Sequence, residues 1–344
     1  MTDIALRDYG YEVEAMIDDR AAQEAIAHSL YILNYFPKNV DLYRMLGNAF
    51  IENNQFSEAI DIMRRLLSAV PDNIDAHRGI STAYQKVGNL DAAIWHMKRA
   101  FELQPSNKEI QEKLRQLYET RDGEVPKIRL TRAALARMYT LSDQNEQAIA
   151  EIRSALFEDP NRLDLQVLLA QIYQRLGKMS DSADTCIEVL KKLPESLEAN
   201  CILAQILEQS GQKEEALIHW QRVKELDPYD KRLPASISGV GPSADLNSLS
   251  LFEGLPEVMT GIVSQPDWSN MLGIEPSPLV SAEEKVVRWQ APIQEVIVEN
   301  QDETPLSVEE PEMLAWLQET PPGASDTVGN WLAEQTPAHG SGSA

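Results

Sequence analysis

Cysteine is nearly absent from this 344-residue chain, which has only Cys186 and Cys201. Two such residues fit no disulfide framework and no metal or redox spacing, which suits a reducing compartment. Long apolar runs are also missing. No stretch of about 18 apolar residues occurs, so no membrane span is expected. Positive charge is scarce, with 31 Lys and Arg against 54 Asp and Glu and a formal net charge of −23. Such a surface repels nucleic-acid phosphates and anionic lipid heads, so neither nucleic-acid binding nor membrane insertion is expected. Signatures of catalysis are lacking as well: there is no phosphate-cradling glycine loop and no nucleophile elbow. His28, His77, His96, His219 and His339 are scattered with no chelating spacing. No enzyme activity, cofactor or metal is therefore expected. The opening stretch MTDIALRDYG shows no basic-then-apolar signal pattern, which points to a cytoplasmic location.

What is present is a period. Residues 1–230 hold Pro37, Pro71, Pro105, Pro126, Pro160, Pro194 and Pro228, and five of the six steps between neighbours are 34 residues. The exception is the 21-residue step from Pro105 to Pro126. With each proline numbered 32 in its repeat, position 7 is Leu46, Ile80, Leu135, Leu169 and Leu203. Position 8 is small: Gly47, Ser81, Ala136, Ala170 and Ala204. Position 20 is Ala59, Ala93, Ala148, Ser182 and Ala216. Spacings of three and four put positions 4, 7, 8 and 11 on one helix face. Small residues at 8 and 20 let two helices approach closely. Asn and Gly in ENNQF, KVGNL, RLGKM and QSGQK suit a tight turn between them. Proline ends each second helix, because it lacks an N–H and clashes with the preceding turn. A period of this size predicts a stack of helical hairpins.

This pattern resembles the tetratricopeptide repeat family over about residues 5–230. The family's tryptophan at position 4 is replaced by Tyr43, His77, Arg132, Gln166 and Asn200. The N-terminal copy keeps Ala25 and Pro37 most clearly, and half a repeat between Pro105 and Pro126 predicts one extra helix near 107–120. The resemblance implies an all-α, right-handed solenoid of about six hairpins over 1–230. It also implies a concave groove lined by positions 2, 5, 9, 12 and 13 of the first helices. Those positions include Arg44, Asn48, Arg78, Thr82, Lys86, Arg137, Gln171, Arg175 and Gln205. Arginines there suit an acidic peptide or protein partner. One subfamily uses the places of Arg44 and Asn48 to hold a C-terminal carboxylate. Here the next position 6 is Gly79, so that clamp is incomplete.

Residues 231–344 differ. They carry twelve of the 19 prolines and 17 acidic against four basic residues, 4 − 17 = −13. Such composition predicts a mostly disordered acidic tail. Three stretches repeat an apolar i, i+3, i+4 arrangement: Trp268, Met271 and Leu272 in one, Met313, Trp316 and Leu317 in another, Val328, Trp331 and Leu332 in the third. Each suits a short helix docking in a groove. The tail's charge also suits a fold-back onto the chain's own basic groove. The expected function is a non-catalytic interaction scaffold, or alternatively a regulatory or accessory subunit of an enzyme assembly.

Overall fold

The computed structural model describes residues 3–123, 128–234, 248–250 and 272–277. All lie in one compact unit, Met1–Trp289. A short strand, β1 (Asp3–Ala5), leads into six helical hairpins and one single helix. The first three hairpins are α1 (Leu6–Asp18) with α2 (Ala22–Leu33), α3 (Val40–Glu52) with α4 (Phe56–Ala69), and α5 (Ile74–Lys86) with α6 (Leu90–Leu103). The single helix α7 (Lys108–Asp122) follows. The last three are α8 (Arg132–Leu141) with α9 (Asn145–Glu158), α10 (Leu163–Arg175) with α11 (Met179–Lys192), and α12 (Leu197–Gln209) with α13 (Lys213–Leu226). The fold is an all-α solenoid of such hairpins. Its strands are β1 and β2 (Ser248–Ser250), which pair antiparallel with Ile4 opposite Leu249.

Local chemistry sets each boundary. Asn39, Asn73 and Asn107, each two residues after a proline, cap the helices that follow by accepting backbone N–H bonds at 3.1, 2.8 and 3.0 Å. Position 15 takes positive φ in all six hairpins, at Arg20, Asn54, Gly88, Asp143, Gly177 and Gly211. Arg20 holds a conformation that costs a non-glycine residue about 1–2 kcal/mol, part of which glycine gives back in backbone entropy. Arg20→Gly is therefore expected to stabilise the protein by about 0.5–1 kcal/mol, and Gly177→Ala to cost about 1 kcal/mol. Thermal melts of the two variants would check both signs.

Position 4 has a second task in place of the tryptophan. Tyr43, Gln111, Gln166 and Asn200 donate to the carbonyls of Pro37, Pro105, Pro160 and Pro194, each six residues earlier, at 2.5–3.0 Å. His77 bonds the Pro71 backbone likewise. Position 4 also reaches position 23 of its own hairpin. Tyr9 pairs with His28 at 2.8 Å, His77 with His96 at 3.0 Å, and Asn200 with His219 at 2.8 Å. Close helix approach shows at positions 8 and 20, where Ser81 donates to the Ala93 carbonyl and Ser182 to the Ala170 carbonyl.

The bond from Gln111 to Pro105 identifies α7 as a first helix that has no second. Its position 8 is Arg115, where five of the six hairpins have a small residue. Arg115 is exposed, so no small residue is needed there. Helix α7 packs on α6, and α8 contacts α6 as well. The hairpins thus form two blocks, α1–α6 with α7 and α8–α13.

The two blocks meet along their proline loops. Lys38 pairs with Glu195 at 3.1 Å and Glu225 at 3.0 Å. The Arg7 amide donates to Tyr229 Oη at 3.2 Å, and its guanidinium lies over that ring. Leu226 of the last helix is buried in the core of the first block, together with Leu249, Leu272 and Ile274 from beyond the repeats.

Candidate functional site

The charges of the candidate groove residues are largely matched by the chain's own acids. Arg44 donates to Glu14 at 2.6 Å, and Arg78 to Glu109 at 2.8 Å. Arg137 pairs with Asp164 at 3.1 Å and is nearly buried. Arg175 donates to the Thr140 carbonyl at 3.3 Å and lies 3.5 Å from Asp143, with its side chain 45% exposed. Thr82 donates to the Arg78 carbonyl, and Gln205 accepts from Gln174 at 2.8 Å. Asn48 and Gln171 are half-buried, and Lys86 is exposed. Arg44 lies 3.8 Å from Asp41 in its own helix, yet its closer partner, Glu14, comes from α1. A readable signal existed: Glu14 and Glu109 lie 30 and 31 residues from their arginines, close to one repeat length.

A denser cluster lies at the seam. Arg162 donates to Glu102 at 2.8 Å and to both Asp164 oxygens at 2.9 Å. Arg99 donates to Glu102 at 2.9 Å and lies over the Trp95 ring. Burial alone would raise the Asp164 and Glu102 carboxyls, but the surrounding arginines hold both below the usual carboxylate range. Burial does raise Asp72, against the pull of Arg137. Beside the cluster is a cavity of about 130 Å³, whose lining includes Pro71, His77, Trp95, Asn161 and Leu193. Cations and acids balance within the cluster, so it holds the blocks together and leaves no net charge to attract a ligand.

Titratable groups elsewhere are quenched. Burial pushes the Cys186 and Cys201 thiols up to about 12, which leaves them unreactive. Among the described residues no three His, Cys, Asp or Glu side chains stand close enough to hold a metal. Nor is any described helix long and apolar enough to cross a membrane.

Large apolar side chains stand exposed mainly on the second block: Leu130, Met138, Leu141, Phe157, Leu176, Ile187, Leu217 and Ile218, against Tyr11, Tyr35 and Val87 on the first. Leu141 is 86% and Phe157 89% exposed. Exposed apolar side chains concentrated on one part of a protein suit contact with another protein. Of the tail motifs, Trp268, Trp316, Leu317, Trp331 and Leu332 lie outside the described residues. Leu272 is described and buried in the core of the first block, next to Gly273 and Ile274, which bond Pro37 and Tyr43.

Helical hairpins in 34-residue register, with a turn residue of positive φ and a proline stop, define a helical-repeat protein. Residues 16–82 and 167–231 match family models of the tetratricopeptide repeat. Over those two segments the chain is similar to the tetratricopeptide repeat, a likeness that supports a protein-interaction scaffold. No curated protein matches it. Similar solved structures include MamA, 17% identical with a TM-score of 0.23 over 54% of this chain and 90% of that one. A second MamA structure is 19% identical with a TM-score of 0.24, over 58% and 96%. The tetratricopeptide domain of P58(IPK) is 16% identical with a TM-score of 0.31, over 68% and 64%.

Proposed function

We propose that the chain is a non-catalytic scaffold whose second block holds a peptide or protein segment in its concave groove. The observation that carries this is the pairing of exposed apolar and cationic groups on neighbouring first helices. Met138 and Leu141 of α8 stand exposed, and Arg175 at position 13 of α10 is half-exposed. Leu141 occupies that same position in its own repeat. A segment that places an apolar side chain on Leu141 and a carboxylate on Arg175 fits, which favours an acidic partner. Arg175 has its own partners, the Thr140 carbonyl at 3.3 Å and Asp143 at 3.5 Å, but they are longer than the 2.6 and 2.8 Å pairs of Arg44 with Glu14 and Arg78 with Glu109.

Capture of partners from native lysate on the wild-type chain and on Leu141→Ser/Arg175→Glu is the test. Both sites are exposed, so the fold is expected to hold within about 0.5 kcal/mol. The specific partner should be lost from the variant at unchanged helical content. Retention by this variant together with loss from Phe157→Glu would move the site out of the groove. Recovery of one stoichiometric complex would favour the accessory-subunit role, and many weak partners the general scaffold.

A further inference from the structure

Residues 272–277, Leu-Gly-Ile-Glu-Pro-Ser, lie in a seat built by Pro37, Lys38, Tyr43, Arg65 and Ser68. The Gly273 amide donates to the Pro37 carbonyl at 3.3 Å, and the Ile274 amide to Tyr43 Oη at 3.2 Å. Arg65 donates to the Ile274 carbonyl, and the Ser277 amide donates to Ser68 Oγ at 3.0 Å. Ile274 is fully buried, Leu272 nearly so, and Glu275 is exposed. Three backbone amides and one carbonyl are read, so the seat recognises an extended main chain. Selectivity comes from two apolar side chains and one glycine. A Cβ at 273 would stand 2.8 Å from Lys38 Cγ and 3.2 Å from Pro37 Cβ, so a side chain there would have to push both aside.

The charge arrangement makes this a built site. Arg65 is 5% exposed, and its guanidinium is shared between Asp61 on its own helix and a carbonyl 209 residues away in sequence. Burying a cation costs several kcal/mol unless its donors are met, so the seat is completed by a peptide carbonyl. The register repeats this seat one hairpin further on. Adding 34 to Pro37, Tyr43, Arg65 and Ser68 gives Pro71, His77, Arg99 and Glu102. That second seat receives another stretch of the chain, in which Arg162 bonds Glu102 and Leu163 is buried. The second seat thus takes a turn and the start of α10 through side chains, whereas the first takes the main chain of 272–277.

We propose that the seat at Pro37, Tyr43, Arg65 and Ser68 is a peptide-binding site, filled in this chain by its own residues 272–277, and that a partner protein presenting an apolar-Gly-apolar-x-Pro-Ser segment binds there by displacing them. The own segment is tethered, so it competes at an effective concentration of about 1 mM. A free peptide of the same sequence must overcome that.

The probe is a labelled peptide of residues 271–279, MLGIEPSPL, and the protein is the full chain. Gly273→Val/Ile274→Asp in the chain empties the seat by a clash with Pro37 and a charge in the apolar slot. The peptide should bind this variant at least tenfold more tightly than wild type, and adding Tyr43→Phe should weaken it severalfold by removing the acceptor for the third residue's neighbour amide. No binding to the emptied, still helical chain would overturn the proposal. Should the double variant lose helix, the wild-type chain carries the test. Excess peptide should then speed hydrogen exchange at the Gly273 and Ile274 amides, and unchanged exchange would count against it. A wild-type dimer that Gly273→Val makes monomeric would assign the seat to a second copy and overturn the heterologous partner.

Discussion

Arg162→Ala is expected to destabilise the protein by about 3–5 kcal/mol, the range found when one member of a buried ion pair is removed. Arg162 is the common partner of Glu102 and Asp164, and all three side chains are at most 14% exposed. Without it Glu102 keeps Arg99 at 2.9 Å and Asp164 keeps Arg137 at 3.1 Å. Each acid then faces one close arginine, with Asp72 nearby as a third acid. A control is Arg132→Ala, whose pairs with Glu151 and Glu158 are half-exposed and should cost below about 1 kcal/mol. Denaturant titration separates the two. Equal small losses would mean that the seam contributes nothing beyond surface pairing. The pH dependence adds a signature. In the wild type both acids titrate below their unfolded values, so their stabilisation is present above about pH 4 and is lost as pH falls further. Removing Arg162 raises both carboxyls and flattens that loss.

Acidification from pH 6.5 to 5 is expected to remove up to about 3 kcal/mol of stability through His77 and His96 alone. The rings lie 3.0 Å apart at their Nδ1 atoms, both buried, with Tyr84 stacked on His96 and Trp95 edge-on to it. Burial first, and then Arg99 beside both rings, the second imidazole beside His77 and Arg64 beside His96, holds both well below the ordinary histidine value. Only Asp164 and the Pro71 carbonyl oppose this at His77. Above about pH 6.5 both states of the chain are neutral here, and nothing is lost. Below it the unfolded chain binds two protons that the folded one refuses. Each contributes up to about 1.4 kcal/mol per pH unit. His28 and His219 are also lowered by burial and act in the same direction. Asp72 and Asp227, raised by burial, act oppositely, but equally in wild type and variant. The difference between wild type and His77→Gln/His96→Leu therefore isolates the pair. A parallel decline in both proteins between pH 6.5 and 5 would sink the assignment.

Much of the fold was legible because repeats write their packing into a period. Proline at 32, small residues at 8 and 20 and the turn at 15 each recur. The N-terminal hairpin offered little beyond Ala25 and Pro37, yet Tyr9, Arg20 and His28 occupy positions 4, 15 and 23 as in later copies. Arg115 at position 8 of α7 was a readable sign of an exposed face. The seam was not legible. Arg162 and Glu102 are 60 residues apart, and Lys38 and Glu225 are 187 apart. Such pairs obey no period, and a chain with 54 acids offers many equivalent partners. The candidate groove arginines were chosen by register, and charge counting missed the acids that match them. Leu272 was marked by its spacing to Trp268, a helical pattern, whereas Leu272–Ser277 runs without helix and is held through its backbone.

The core of the first block contains Leu226, Leu249, Leu272 and Ile274. A ribosome makes the first block before it makes any of them. At about 5–20 residues per second, roughly 8–30 s separate the synthesis of Leu117 from that of Ile274. During that interval the earliest repeats stand with an unfilled seat at Pro37 and an uncovered apolar edge. Order of synthesis and order of completion are therefore reversed in this protein: the repeats that emerge first are the last to be finished, and until then they are the part of the nascent chain that most needs a chaperone.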